Sequence, residues 1–179
     1  GAGRAGRAAA AAVRRTRGFG MNRGGLSGMA MGQFAFKAPG GWRGLVHVAA
    51  YAARVIHFLD GPGVTRVIHA MRDWLRPGGR LFLVADSPYM PQWTSIIPGY
   101  EAAKAAGDPW PGMIHDFRPF TRPSLGGPPF LNTLDPDILA RECAHAGLEV
   151  ARAAFFPMHR LAERAQGREH AGCVARRPA

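Results

Sequence analysis

Cysteine and long apolar runs are both scarce in this chain. Its 179 residues include two cysteines, Cys143 and Cys173, which lie far apart in the sequence. Two distant cysteines exclude a disulfide-based scaffold and a cysteine-rich metal site, so we predict reduced thiols, a cytoplasmic protein and no bound metal. No apolar run reaches the length needed to cross a bilayer, so the sequence predicts no membrane span.

Acidic residues are absent from the beginning of the chain, where the first Asp or Glu is Asp60. The net charge of +11 therefore arises mostly before that point: residues 1–50 hold eight Lys and Arg, whereas the remainder holds fifteen against all twelve acids. A strongly basic protein often binds nucleic acid or an anionic membrane. Because the remainder carries a net charge of only +3, the composition argues against such a partner for the folded part.

Residues 1–44 are rich in Ala, Gly and Arg and show no sustained apolar period of a helix or a strand. We expect this low-complexity basic segment to be disordered or irregular. Residues 45–179 are long enough to form one domain with its own core. The chain starts at Gly1 rather than at a methionine, so we also expect it to be a fragment.

After residue 44 the elements of an α/β sheet alternate. Residues 44–50, GLVHVAA, predict a buried strand, and the Asp-Gly-Pro-Gly turn at residues 60–63 predicts the start of a helix. Apolar residues then recur at helical spacing over about residues 63–76, until a Pro-Gly-Gly sequence ends the helix. Residues 81–85 are apolar without alternation, which is typical of a strand covered on both faces and predicts a central place in the sheet.

Residues 87–134 interrupt this alternation with many prolines and aromatic side chains. An insertion after the carboxyl end of a parallel strand lies where open α/β sheets bind ligands, so it is either a substrate lid or a surface excursion. Asp135 and Pro136 then predict a helix over about residues 136–146. The last two strand candidates have no strong crossover helix between them. The whole order predicts a partial doubly wound, mostly parallel sheet with a C-terminal antiparallel hairpin.

Three segments in this order resemble the C-terminal half of a class I S-adenosylmethionine-dependent methyltransferase. ARVIHFLDG looks like the segment after that family's fourth strand, and LRPGGRLFLVAD looks like its helix-to-fifth-strand motif. DPDILARECAHAGLEVARAAFF resembles its last helix and terminal hairpin, and DPWPG is similar to a subgroup with small or lipophilic substrates. The resemblance covers about residues 50–177. It implies S-adenosylmethionine as cofactor and a small-molecule methyl acceptor as partner.

The N-terminal half of the family pattern has no clear counterpart. The family holds its cofactor on a strand that ends in a glycine-rich loop, and on an acid after the next strand. GAGRAG at residues 1–6 matches G-x-G-x-x-G, but no strand precedes it and no acid follows within the next fifty residues. We interpret it as a chance match in a biased tract. Residues 1 to about 45 are expected to be a damaged remnant or a stretch read in the wrong frame.

The resemblance also implies a set of site residues. His57 falls where the family's loop meets cofactor and acceptor, which implies a catalytic role in orienting the substrate or accepting a proton. A histidine with one hydrogen bond at a helix start is the alternative. Ala53, Arg54 and His57 would border the methionine end of the cofactor, and Asp86 would contact ligand or cap the next turn. The residues implied to line the acceptor pocket are Tyr89, Trp93, Trp110 and His115.

The resemblance therefore implies an S-adenosylmethionine-dependent methyltransferase that acts on a small or lipophilic molecule. We expect this chain to be truncated and weak or inactive. The missing catalytic dyad is no obstacle, because the sulfonium is already activated and alignment supplies much of the rate. Two alternatives stay open: a catalytically dead methyltransferase-like interaction protein, and a basic nucleic-acid-binding protein. The sequence indicates neither the methylated atom nor the oligomeric state.

Overall fold

The computed structural model describes residues 47–116, 130–158 and 166–179. The predicted disorder of residues 1–44 falls outside these ranges, as does part of the insertion. The helices and strands, in chain order, are β1 (His47–Ala53), a 3-10 turn (Ile56–Phe58), α1 (Gly61–Trp74), β2 (Leu75–Asp86), a second 3-10 turn (Pro91–Ile96), α2 (Ile97–Ala105), β3 (Met113–Ile114), β4 (Leu131–Asn132), α3 (Pro136–His145), β5 (Glu149–Phe156) and β6 (His170–Arg176).

Four of these strands form one mixed sheet in the order β1-β2-β6-β5. β1 and β2 run parallel, whereas β6 is antiparallel to both β2 and β5. The α/β class, the interior position of residues 81–85 and the C-terminal antiparallel pair are therefore confirmed. Within this four-stranded sheet one of the three strand pairings is parallel, so the described part of the sheet is less parallel than the sequence predicts. β3 and β4 form a separate two-stranded sheet.

α1 begins as the sequence predicts, because the Asp60 side chain accepts a hydrogen bond from the Gly63 amide at 2.7 Å and proline occupies the first turn. Its inner face buries Val64, Ile68 and Met71 against the sheet. The amphipathic pattern of α1 thus determines which side of the helix meets the core.

None of the helices in the described ranges has the length and apolar character that crossing a bilayer requires.

The end of α1 differs from the prediction. The helix ends at Trp74, and the Pro-Gly-Gly sequence lies inside β2. Gly78 has a φ of +75°, and the Gly78 and Arg177 amides donate hydrogen bonds to the Arg177 and Gly79 carbonyls. The β1 register shifts between His47 and Ala49 over the same stretch. The glycines form an irregular, twisted start of a strand, because glycine tolerates the left-handed conformation that this start requires.

The main core lies between the sheet and the helices α1 and α3. Its fully buried members from the sheet include Leu81 and Leu83, and α3 contributes Leu139 and Cys143. The opposite face of β2 is different: Phe82 and Val84 are half-buried and line a groove of about 350 Å³ formed by strand residues alone. The prediction that this strand is covered on both faces is therefore wrong for the described residues, because an unbroken apolar run does not show how many faces are packed.

Replacing Asp60 by alanine is expected to lower the free energy of unfolding by about 1 kcal/mol, because the Gly63 amide loses its side-chain acceptor. The matched control is Asp73→Ala near the other end of α1, where the exposed carboxylate pairs with the adjacent Arg72. We expect no measurable loss for the control. Urea unfolding followed by circular dichroism measures both, and equal losses would contradict the capping role.

Candidate functional site

Polar side chains collect where the parallel strands β1 and β2 end side by side. Arg54 directly follows β1, and Asp86 is the last residue of β2. Open α/β sheets bind ligands at the carboxyl ends of neighbouring parallel strands. We call the group formed by Arg54, His57, Asp86 and His170 the strand-end cluster.

Arg54 holds the exposed side of the strand-end cluster. Its backbone has a φ of +55°, in the left-handed region that a residue with a side chain rarely adopts, and its amide donates to the Val84 carbonyl at 2.8 Å. The guanidinium forms a bidentate ion pair with the Asp86 carboxylate, with Nε 2.9 Å from Oδ1 and Nη2 3.2 Å from Oδ2. The arginine side chain is 52% exposed and the carboxylate 6%. Strained backbone of this kind clusters at functional sites, and here it directs a cation to solvent.

His57 lies beneath this ion pair and is fully buried. Its Nδ1 accepts a hydrogen bond from the Asp86 amide at 3.2 Å, and its Nε2 lies 3.8 Å from Asp86 Oδ2. Burial lowers the pKa of His57 to about 4, although the nearby carboxylate acts in the opposite direction. The imidazole is therefore neutral at pH 7 and carries its proton on Nε2. This arrangement favours a role in positioning Asp86 over a role as proton acceptor.

His170 completes the strand-end cluster from β6. It is the register partner of Asp86, and its Nδ1 lies 3.2 Å from Asp86 Oδ1. Burial lowers the pKa of His170, while the Asp86 carboxylate raises it to a smaller extent. The Asp86 carboxylate thus lies among a guanidinium and two imidazoles, and Arg54 is the member that reaches solvent.

The cluster is suited to binding a polar or anionic ligand group through Arg54, because the guanidinium is held in one orientation by Asp86. Ala53, at the end of β1, pairs with Val84 of β2, so its backbone lies next to the cluster. Within residues 47–116, 130–158 and 166–179, no three His, Cys, Asp or Glu side chains are arranged to hold a metal ion.

Two of the four predicted acceptor residues lie on the side of His57. Trp93 is buried in an apolar group with Met90 and Leu131, against which Phe58 and Ile114 pack. The Phe58 ring meets the His57 imidazole edge-on with centroids 4.3 Å apart. His115 follows Ile114 and is exposed. An apolar wall therefore adjoins the strand-end cluster.

Tyr89 lies in a different environment. Its hydroxyl donates to the Glu101 carboxylate, and its ring packs edge-on against Tyr100 and Phe155. The Arg168 guanidinium lies 3.4 Å from the ring centroid, which is a cation–π contact. These contacts bury Tyr89 and involve it in holding α2 to β5.

Trp110 lies at the start of α1. A Cβ added to Gly61 would come within 2.2 Å of Trp110 Nε1, so only glycine allows the ring to lie there. The Arg141 guanidinium stacks 5.1 Å above the ring. The fold therefore gives Tyr89 and Trp110 packing partners of their own, outside the apolar group that holds Trp93.

His170 is the member of the strand-end cluster that sequence reasoning missed. Its position at the start of the last strand carries no motif. The available signal was topological: in an antiparallel pair the start of β6 faces the end of β2, where Asp86 lies. Without the register, that signal does not select one residue.

No protein-family profile matches this chain, and no curated protein matches it significantly. The solved structures that match this chain include the following two. A SAM-dependent methyltransferase from Methanosarcina mazei superposes with a TM-score of 0.52 at 12% identity, over 75% of this chain and 60% of that protein. An O-methyltransferase family protein from Burkholderia thailandensis has a TM-score of 0.45 at 12% identity, over 77% of this chain and 32% of that protein. The first likeness shows that the chain has a methyltransferase-like α/β fold, and the chain spans 60% of that relative's length.

Proposed function

We propose that the chain corresponds to the C-terminal half of a class I S-adenosylmethionine-dependent methyltransferase that acts on a small or lipophilic molecule. Residues 45–179 form the methyltransferase-like part in this proposal, and residues 1–44 are a basic segment outside it. The observation that carries the proposal is the strand-end cluster: a half-exposed guanidinium, oriented by a buried carboxylate, at the carboxyl ends of two parallel strands in a methyltransferase-like fold.

Part of a cofactor site fits these residues. The Arg54 guanidinium suits the carboxylate of the cofactor's methionine moiety, and the Ala53 backbone and buried His57 border the same strand end. When bound, the cofactor supplies an activated methyl group on a sulfonium. Asp86 orients Arg54, and neutral His57 and His170 hold Asp86 away from water. The described residues provide no glycine-rich loop after a strand and no acid for a ribose, so only one end of the cofactor has partners here.

The acceptor proposed for this site is apolar over much of its surface. Trp93 and Phe58 form an apolar wall beside His57, and His115 adds one polar group near that wall. We propose that Tyr89 and Trp110 support the insertion, Tyr89 by packing against β5 and Trp110 by packing against the start of α1. A lipophilic acceptor with one nucleophilic atom fits such surroundings, because burial removes water from the reacting atoms.

We expect residues 1–179 to bind S-adenosylmethionine weakly, because one end of the cofactor lacks partners. Isothermal titration should give no binding at micromolar concentration, which corresponds to roughly −8 kcal/mol. Adding the glycine loop and ribose-binding acid of an intact relative should restore binding. In that chimera Arg54→Gln should weaken affinity about tenfold, whereas Arg152→Gln in the groove on the far face should not change it.

The outcomes separate the parts of this proposal. Micromolar binding by the unaltered chain would contradict weak binding and require GAGRAG at residues 1–6 to be reconsidered. A chimera that folds and binds nothing would contradict the methyltransferase proposal itself. An Arg54→Gln chimera with unchanged affinity would remove the strand-end cluster from the cofactor site.

A catalytically dead interaction protein is the second candidate. It is favoured by the uncovered groove and by the exposed apolar side chains of β1, among them Tyr51 at 68% and Val48 at 62%. Cofactor binding by the full-length gene product distinguishes the two functions, because the interaction protein requires none.

A further inference from the structure

The two cysteines, which lie 30 positions apart in the sequence, meet inside the core. Cys143 lies on α3 and Cys173 on β6, and their Sγ atoms are 3.8 Å apart. Both side chains are buried in the apolar cluster between the sheet and the helices. They are free thiols, as the sequence predicts, and they meet because α3 packs across β6 and β5.

We propose that Cys143 and Cys173 form a thiol-oxidation site that closes to a disulfide bond and cross-links α3 to β6. A disulfide has an S–S length near 2.05 Å, so the two sulfurs must approach by roughly 1.8 Å. Side-chain rotation at each cysteine, with a small shift of α3 on the sheet, supplies an approach of this size. No other cysteine is present in the chain, so intramolecular pairing has a single solution.

The reaction needs a two-electron oxidant, for which hydrogen peroxide is small enough to enter transient openings of the core. The Cys173 sulfur attacks one peroxide oxygen, the O–O bond breaks, and a sulfenic acid and hydroxide form. The Cys143 sulfur then attacks the sulfenic sulfur, the S–O bond breaks, and hydroxide leaves. In total the two thiols lose two electrons and two protons, and peroxide becomes two molecules of water.

The order of these steps follows from the contact between the sulfurs. The shared S–H···S contact lowers the pKa of Cys173 and, with burial, raises the pKa of Cys143. Cys173 therefore supplies the first thiolate, and Cys143 is the resolving thiol.

The cross-link acts on the scaffold of the strand-end cluster. β6 begins at His170, which faces Asp86, and Cys173 lies three residues further along the same strand. A disulfide between Cys173 and Cys143 closes a loop of about 30 residues and lowers the conformational entropy of the unfolded chain. We expect the melting temperature to rise by about 5–10 °C on oxidation.

The test uses the full chain in reduced and peroxide-treated forms. Unfolded samples are alkylated and their intact mass is measured, which counts free thiols, and thermal unfolding is recorded in parallel. We expect the treated chain to lose both alkylation sites and two hydrogens in mass as a monomer, with the melting temperature raised and both changes reversed by dithiothreitol. Cys143→Ala and Cys173→Ala should each abolish the rise in melting temperature.

Three results would overturn the proposal. These are two thiols that stay alkylatable after treatment, a mass gain of oxygen atoms instead of a loss of hydrogens, and a disulfide-linked dimer. The wild-type mass measurement decides the matter even if an alanine variant folds poorly. It is also independent of cofactor binding, so the proposed function and this site succeed or fail separately.

Discussion

Replacing Asp135 by alanine is expected to lower the free energy of unfolding by about 3 kcal/mol. The carboxylate is fully buried and caps α3 by accepting a hydrogen bond from the Ile138 amide at 2.8 Å. It also accepts hydrogen bonds from the Tyr100 hydroxyl and the Lys104 ammonium. Burial alone would raise the pKa of Asp135, but these three donors outweigh it and hold the pKa below its usual range.

The size of the effect comes from the donors that alanine would leave without an acceptor. Burial, and then its hydrogen bond to the Asp135 carboxylate, raise the pKa of Tyr100, and alanine would leave this buried hydroxyl without its acceptor. Loss of a helix cap costs about 1 kcal/mol, and an unsatisfied buried donor adds roughly 1–3 kcal/mol.

The matched control is Asp137→Ala. This carboxylate contacts the same Lys104 ammonium at 2.8 Å but is 82% exposed. We expect a loss below about 0.5 kcal/mol, as is usual for a surface ion pair. Urea unfolding with a comparison of midpoints and slopes measures both variants. Similar losses for Asp135→Ala and Asp137→Ala would show that the buried network contributes little.

The second large effect is a loss of stability between pH 6.5 and about pH 4. His57 has a pKa of about 4 in the folded chain and near 6.5 when unfolded. The unfolded chain therefore binds more protons in this interval, and the free energy of unfolding falls as the pH falls. The part of the free energy of unfolding that depends on a neutral His57 is fully present above pH 6.5. Its loss reaches at most about 3 kcal/mol near pH 4. His170, whose pKa is also lowered, adds to the loss in the same direction.

Urea unfolding at a series of pH values tests this. His57→Asn keeps a side-chain acceptor for the Asp86 amide and removes the titrating imidazole, so the slope between pH 6.5 and 4 should become shallower. The matched control is His69→Asn on the exposed side of α1, which should leave the slope unchanged. An unchanged slope in His57→Asn would contradict the assignment.

A different group acts at lower pH. The lowered pKa of Asp135 contributes stability above its unfolded pKa, and this contribution is lost as the pH falls through the folded value, below about pH 4. The two regions of the pH profile therefore report on different groups: the strand-end cluster above pH 4, and carboxylates with a lowered pKa, Asp135 and Glu169, below it.

Several elements of the fold follow from the sequence alone. Asp60 and Asp135 each precede a proline and an apolar stripe, and both side chains cap the helices that those signals predict. The interior strand at residues 81–85 and the antiparallel C-terminal pair also agree with the sequence pattern. Signals of this kind act between residues a few positions apart, so a single sequence is enough to detect them.

The tertiary structure alone decided which distant residues meet. Arg54 and Asp86 are 32 positions apart, and Cys143 and Cys173 are 30 apart, yet each pair is in contact. Both contacts depend on sheet register and on how a helix packs across the strands, which no short motif encodes.

The same limit applies to the insertion. Its aromatic residues, which the resemblance implies line an acceptor pocket, have different packing partners: Trp93 packs beside Phe58, Tyr89 against Phe155, and Trp110 over Gly61. Which surface each ring meets depends on the path of the whole insertion relative to the sheet, because packing is decided by the shapes of all the neighbours together.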